Sequence, residues 1–491
     1  MAKNEAKLIN LSSFRDPDNF VLIGDDFVFR VYLGSGHKAL ETLLTSPLYA
    51  ELVSSGSILP IAKTSYGDLD EKSKVDLINR LPDLSPGAIA ELAIFKSPKL
   101  TLITYPYEWT NQTLKEAALH TLHIREKLLS IGLDLKDASA FNIQFQGLRP
   151  VFIDVGSIIE ISKTFVWPGY RQFFEHFLNP LLASDRLSVD SASIWRINWL
   201  TGLPSKKMPS ILAFRTKVRP RYFLLNLASL PSGRGENVNT QTSKTRESNL
   251  RLKDCIKFHN KLNQRLRREV MRIKQKDLNT QWAKYGGREH YTNAEIALKI
   301  DSVLSSVGEF SNSNSYVLDV GGNDGKFAFP LASKGVTSIV LDSDPQALEN
   351  GVSWAKSLDD SMQRCIFFLN VDFLNSTPSV GLFESERISF TERFKNPELI
   401  VCFAVIHHMV ISQSVPVRLV IENFRRFNCP LLIEIPSEDD PKVKLLMRGK
   451  AGLQPQEYSV SQIRLELERQ FGHVSYLGTT STHRELFHAT P

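Results

Sequence analysis

The sequence predicts two unlike halves, an α+β unit followed by an α/β unit whose mostly parallel sheet is wrapped by helices. Three observations carry this. From Tyr316 onward, short apolar strands alternate with helices. The stretch Pro231–Asn249 has one apolar residue, Val238, and reads as a flexible linker. At 491 residues, 42% hydrophobic and 23% charged, the composition is globular and the chain too long for one ordinary core. The expected limits are 1–232 and 250–491, with a linker at 233–249.

In the second half, YVLDV (Tyr316–Val320) is a short apolar strand and GGNDG a tight Gly-rich turn. KFAFPLASKG is a helix ending at Gly335, TSIVLDSD a second strand, and PQALENGVSWAKS a helix with Pro at its start. Further strands are expected at Cys365–Asn370, Glu398–Val405 and Pro430–Ile435. The tail VSYLGTTSTHRELFHA reads as an edge hairpin.

Four cysteines (Cys255, Cys365, Cys402, Cys429) form no C-x-x-C pair, which argues against a disulfide scaffold or a zinc ribbon. No metal site is expected. The N-terminus lacks the apolar core of a signal peptide, and the longest apolar run, Leu399 to Ile406, is too short to span a membrane. A soluble, cytoplasmic protein is the expectation. The net charge is +6, yet residues 251–276 hold ten Lys/Arg and two acids, so one segment is basic and the remainder is not. That segment has Leu252, Ile256, Leu262, Leu266, Val270 and Ile273 near a 3.6-residue period. It is expected to be an amphipathic helix packed on the second half, with RNA, anionic lipid or an acidic partner as alternative uses of its charge.

The turn after the first strand is where a nucleotide-like ligand belongs, because open α/β sheets bind ligands at the carboxyl ends of their strands. Gly321, Gly322 and Gly325 give G-G-x-x-G, with Asp319 two residues ahead. An acid there repels a pyrophosphate and suits a cationic amino group. Asp342 ends the second strand, where a carboxylate grips a ribose diol.

VLDVGGNDG (Val317–Gly325) resembles motif I of the class I S-adenosylmethionine-dependent methyltransferases, with Asn323 at the middle glycine. LDSD resembles their ribose-binding strand end. NVDFLN places Asp372 at the adenine-contacting acid, and FAVIHHM (Phe403–Met409) resembles the fourth-strand motif that faces the methyl acceptor. The resemblance spans about Trp282 to Pro491. It implies a Rossmann-like domain with a mixed seven-stranded sheet. It also implies S-adenosylmethionine held by Asp319, Gly321, Gly322, Asn323, Gly325, Asp342, Asp372 and Phe403. The segments YPYEWT, LKDASAFNIQF, PVFIDVGS, YRQFFEHFLNPLL, ERISFTERF and IPSEDDPKVKLL further resemble a two-part bacterial subgroup related to the nodulation protein NoeA.

The D/N-P-P-Y/F tetrapeptide common in base and glutamine methylation is absent; Ala404-Val405-Ile406-His407-His408 stands there. A hydroxyl or acidic carbon acceptor needs a base, and histidine titrates near neutral pH. His407 or His408 is the candidate base or acceptor contact. Glu434, Glu438, Asp439 and Asp440 follow the next strand and are candidates for holding a cationic acceptor. Trp282, Tyr285, His290 and Tyr291 are candidates for a lid.

In the first half, Asp137, Asn142 and Asp154 form a D-x4-N…D pattern similar to that of protein kinases and aminoglycoside-type kinases, where these residues orient a hydroxyl and hold magnesium. Leu135 replaces the usual histidine, Asp154-Val155-Gly156 stands for the DFG triplet, and no Gly-rich loop precedes FVFRVYL. Arg30 takes the place of the strand lysine, with Lys63 a distant substitute. A kinase-like, non-catalytic half is expected. The leading function is methyl transfer to a small-molecule or glycan-derived acceptor. The alternatives are an RNA-directed methyltransferase and a non-catalytic regulator.

Overall fold

The computed structural model describes residues 13–211, 250–274, 277–278, 280, 292–307, 315–450 and 458–491. The linker 231–249 and the residues Trp282, Tyr285, His290 and Tyr291 lie outside the described residues.

The first half opens with β1 (Asn19–Ile23), β2 (Phe27–Tyr32), β3 (Ala62–Thr64) and β4 (Ala93–Pro98), an antiparallel sheet in the order β1-β2-β4-β3. Beyond it runs the helix Asn111–Leu129, capped by Thr110, whose hydroxyl accepts the Thr113 N–H. Two small antiparallel pairs follow, β5 (Leu133–Leu135) with β8 (Ile158–Glu160) and β6 (Ile143–Gln146) with β7 (Arg149–Phe152).

The second half is a seven-stranded mixed sheet. Its strands are β9 (Tyr316–Val320), β10 (Thr337–Asp342), β11 (Ile366–Asn370), β12 (Leu399–Phe403), β13 (Leu431–Pro436), β14 (His473–Ser481) and β15 (Arg484–Thr490). The order is β11-β10-β9-β12-β13-β15-β14. The first five are parallel and β14–β15 is an antiparallel edge hairpin. Every residue of β9, β11, β12 and β13 is buried, as continuous apolar runs covered on both faces must be. The helix expected over KFAFPLASKG is one short turn, Ala328–Ala332.

The two halves share a core. Trp109 forms an antiparallel bridge with Leu369, and both belong to one cluster with Leu266, Leu318 and Phe390. Arg393 pairs with Glu108, where both side chains are almost fully buried. Gln112 donates its backbone N–H to Glu349 and its amide to Ser353. Gly147, at φ +59°, lies so close to Gln363 and Arg364 that a Cβ would enter their backbone.

The basic helix forms as Leu252–Arg272, but among the described residues it packs chiefly on Asn111–Leu129 of the first half rather than on the second. Its buried stripe is Cys255, His259, Asn263, Leu266 and Val270, whereas Leu252 is exposed. Two polar residues are buried because the first half supplies their partners. His259 meets Arg125 at 3.0 Å and the Thr164 carbonyl at 2.9 Å, and Asn263 donates to the Leu122 carbonyl. Arg125 in turn makes a two-point pair with buried Asp134.

Candidate functional site

The carboxyl ends of β9 and β10 form one cradle. Gly321 and Gly322 donate their N–H groups to the Leu341 carbonyl at 2.8 and 3.1 Å. Gly321 has φ +69° and Asn323 φ +54°. Asparagine is among the few side chains at ease in that left-handed region, which accounts for its standing at a glycine position. A Cβ on Gly322 would lie 2.6 Å from an Asp319 carboxylate oxygen, so the backbone here passes directly over that acid. Asp342 accepts the N–H of Asn323 at 2.9 Å and of Asp344 at 2.8 Å. Burial pushes its pKa up from the ordinary carboxylate range to about 6, against the pull of these backbone donors.

The neighbouring strand ends complete the edge. Asp372 caps the turn after β11, accepting the Leu374 N–H at 3.0 Å. Phe403 ends β12 with its ring edge-on to Phe327 at 4.9 Å. Asp344 caps the helix Pro345–Ala355 and accepts the Thr280 hydroxyl at 2.7 Å, and Leu278 donates to Gln346. The chain leading to the expected lid is therefore anchored beside Asp342.

Beyond β12 the backbone is strained. Ala404 has φ +53°, and His408–Ser412 is a π-turn, a feature that often marks functional positions. His407 is buried, and its Nδ1 has no hydrogen-bond partner among the described residues. His408 is half-buried, 4.0 Å from it ring to ring. Burial lowers both pKa values, that of His407 strongly, with His408 and then Arg484 adding to the effect on His407 and Arg484 to that on His408. Both imidazoles are therefore neutral at pH 7, and the burial that keeps them so also makes them, His407 above all, weaker proton acceptors.

Glu434 lies within β13, and with Asp440 beyond it departs from the expected role. Glu434 is buried against Lys299 at 2.7 Å, and Thr480 donates to it. Asp440 is also buried; it caps the helix Pro441–Arg448 and pairs with Arg484 at 3.0 Å. Both carboxylates are already paired with cations of this chain. Asp439 is exposed and pairs with Lys444. Lys299 also sits 5.3 Å over the Phe403 ring, so a helix preceding β9 steadies this end of β12. No local pattern in the sequence marks Lys299 or Arg484, because their partners are more than forty positions distant in the chain.

In the first half, Asn142 donates to Asp137, whose pKa rises to about 7 through burial and then the charge of Asp154. Arg30, on β2, pairs with Asp154 at 2.8 Å and donates to Asn19. The D-x4-N…D residues and Arg30 thus meet in one cluster. Lys63 is exposed and bound to Glu41.

No family model matches the chain. It is 29% identical over 445 residues to the nodulation protein NoeA of Rhizobium meliloti (strain 1021), covering 89% of this chain and 87% of that protein. The chain is thus similar to NoeA over most of its length. Among solved structures it is similar to magnesium protoporphyrin IX methyltransferase from Synechocystis PCC 6803 with bound SAH. The identity is 15%, over 40% of this chain and 83% of that one, with a TM-score of 0.28. The bifunctional kinase-methyltransferase WbdD shows 16% identity over 42% and 41%, with a TM-score of 0.30.

Proposed function

We propose that this NoeA relative transfers a methyl group from S-adenosylmethionine to a small-molecule or glycan-derived acceptor. The observation that carries the reading is the joined cradle, in which the Gly321–Asn323 turn is bonded to both the Leu341 carbonyl and the Asp342 carboxylate. A glycine backbone lying over Asp319 suits a group that must approach closely. Asp342 would bind the ribose hydroxyls, Asp319 the amino group, and Asp372 and Phe403 the adenine side. When bound, the donor supplies a methyl on a sulfonium, open to in-line attack. His408, neutral and partly accessible, is the better-placed base for a hydroxyl acceptor; His407 shapes the floor beneath it.

Labelled methyl from the donor, incubated with the full chain and a cell extract, is expected in the small-molecule or glycan fraction. Label in RNA would favour the RNA-directed reading. Donor binding with no transfer to any fraction would favour the regulator.

We read the first half as kinase-like in plan, with a cluster that does not fit a magnesium–nucleotide. The guanidinium of Arg30 already neutralises Asp154, the second carboxylate such an ion needs. ATP with magnesium is therefore expected to leave the melting temperature of the full chain unchanged. A filled site would add roughly 2.7 kcal/mol at a hundredfold excess over Kd. Magnesium-dependent ATP turnover that disappears in Asp137→Ala would overturn this and make the chain bifunctional.

A further inference from the structure

The face of the helix Leu252–Arg272 turned away from Asn111–Leu129 carries a concentrated positive charge. The helix holds seven Lys/Arg (253, 257, 261, 265, 267, 268, 272) and two acids, Asp254 and Glu269. Lys257, Lys261, Arg265 and Arg268 are exposed and recur at helical spacing along one stripe. Arg272 pairs with Glu269, whereas no ion pair joins these four to any described residue.

Beside this stripe lies an apolar tip. Phe258 is 41% exposed and Phe165 is 43% exposed, with ring centroids 5.0 Å apart. Val166, next to Phe165, is 68% exposed. The loop bearing Phe165 and Val166 is tied down: His259 meets the Thr164 carbonyl at 2.9 Å, and the Thr164 hydroxyl accepts the Val166 N–H. Lys163, also exposed, extends the positive charge onto the loop.

We propose that this surface docks the protein on an anionic lipid bilayer, with the Lys/Arg stripe over the headgroups and Phe165, Val166 and Phe258 in the interfacial layer. Charge complementarity selects a negative partner, since basic residues close to an anionic leaflet each add to the attraction. The apolar tip selects lipid over nucleic acid. An exposed aliphatic side chain gains by leaving water but cannot stack on a base, and the two phenylalanine rings occupy each other. No helix among the described residues is long and apolar enough to cross a membrane, so the contact is peripheral. The inference is independent of the methyl-transfer reading.

The test is co-sedimentation of the full chain with vesicles of phosphatidylglycerol and phosphatidylcholine, against phosphatidylcholine alone. Binding is expected to the anionic vesicles and to weaken as salt is raised. Lys257→Gln, Lys261→Gln and Arg268→Gln should each weaken it about fivefold. The pair Phe165→Ser and Val166→Ser should weaken it roughly tenfold at unchanged charge. All these side chains are exposed, so an unchanged melting temperature separates lost docking from lost folding. Equal binding to neutral vesicles, or insensitivity to the charge variants, overturns the proposal. So does binding to single-stranded RNA, lost in those variants, without binding to vesicles.

Discussion

Arg393→Ala is expected to cost about 3–5 kcal/mol of global stability, the usual penalty for leaving one member of a buried ion pair alone. Glu108 is 0% exposed and Arg393 is 2% exposed. Thr377 also donates to Glu108, and Arg393 donates to the Ile103 carbonyl at 2.6 Å while lying 4.2 Å over the Tyr105 ring. Removing the guanidinium strands a carboxylate away from water and deletes a ring contact. The double change Arg393→Met with Glu108→Gln should recover much of the loss, because the uncompensated charge is gone. Denaturant unfolding of the full chain measures both. Since the pair joins the halves, the wild-type halves should also melt in one transition, and an isolated 250–491 fragment should aggregate. Two separate transitions with a loss under about 1 kcal/mol would show that the shared core contributes little to stability.

Asp342→Ala is expected to weaken donor binding by about ten- to a hundredfold. A ribose diol left poorly paired costs on the order of 1–3 kcal/mol, and the variant also frees the N–H of Asn323 that shapes the turn. Calorimetry with S-adenosylmethionine measures this, and unchanged affinity would put the cofactor elsewhere. The wild-type pH profile is an independent check. Asp342 titrates at about 6, above the ordinary value of 3.8, because burial disfavours its charge. Its ionised form, the better acceptor of two hydroxyls, dominates above that pH. Donor affinity should be full near pH 7.5 and fall as pH drops through about 6, a fall absent in Asp342→Ala. The stability effect has the reverse sense: the folded state holds this proton more tightly than the unfolded one, so ionising Asp342 between about 4 and 6 lowers stability.

Much of the edge formed by β9 and β10 is legible in the residues because it is local. Strand, turn and acid follow one another in VLDVGGNDG, and the φ values at Gly321 and Asn323 are those such a turn requires. Asp342 lies one strand on, and parallel pairing in register brings Leu341 beside Val320. The acids of β13 and the turn after it are less legible. An exposed acidic loop and a buried ion network read alike in a sequence, since the difference is whether a cation such as Lys299 or Arg484 arrives from a distant element.

The sequence by itself determined the alternation of strands and helices, the Gly-rich turn and the placing of Asp319, Asp342 and Asp372 at strand ends. These depend on side-chain period and backbone freedom, which act over a few residues. Only the tertiary structure decided how the halves meet. The basic helix shows it most plainly. Leu266 and Val270 of its apolar stripe are buried, while Leu252 is exposed. His259 and Asn263 are buried as well, because Arg125, Thr164 and Leu122 of the first half satisfy the two polar side chains. A polar group is buried when a partner offsets its desolvation, and partners that lie more than ninety positions away leave no trace in the local pattern.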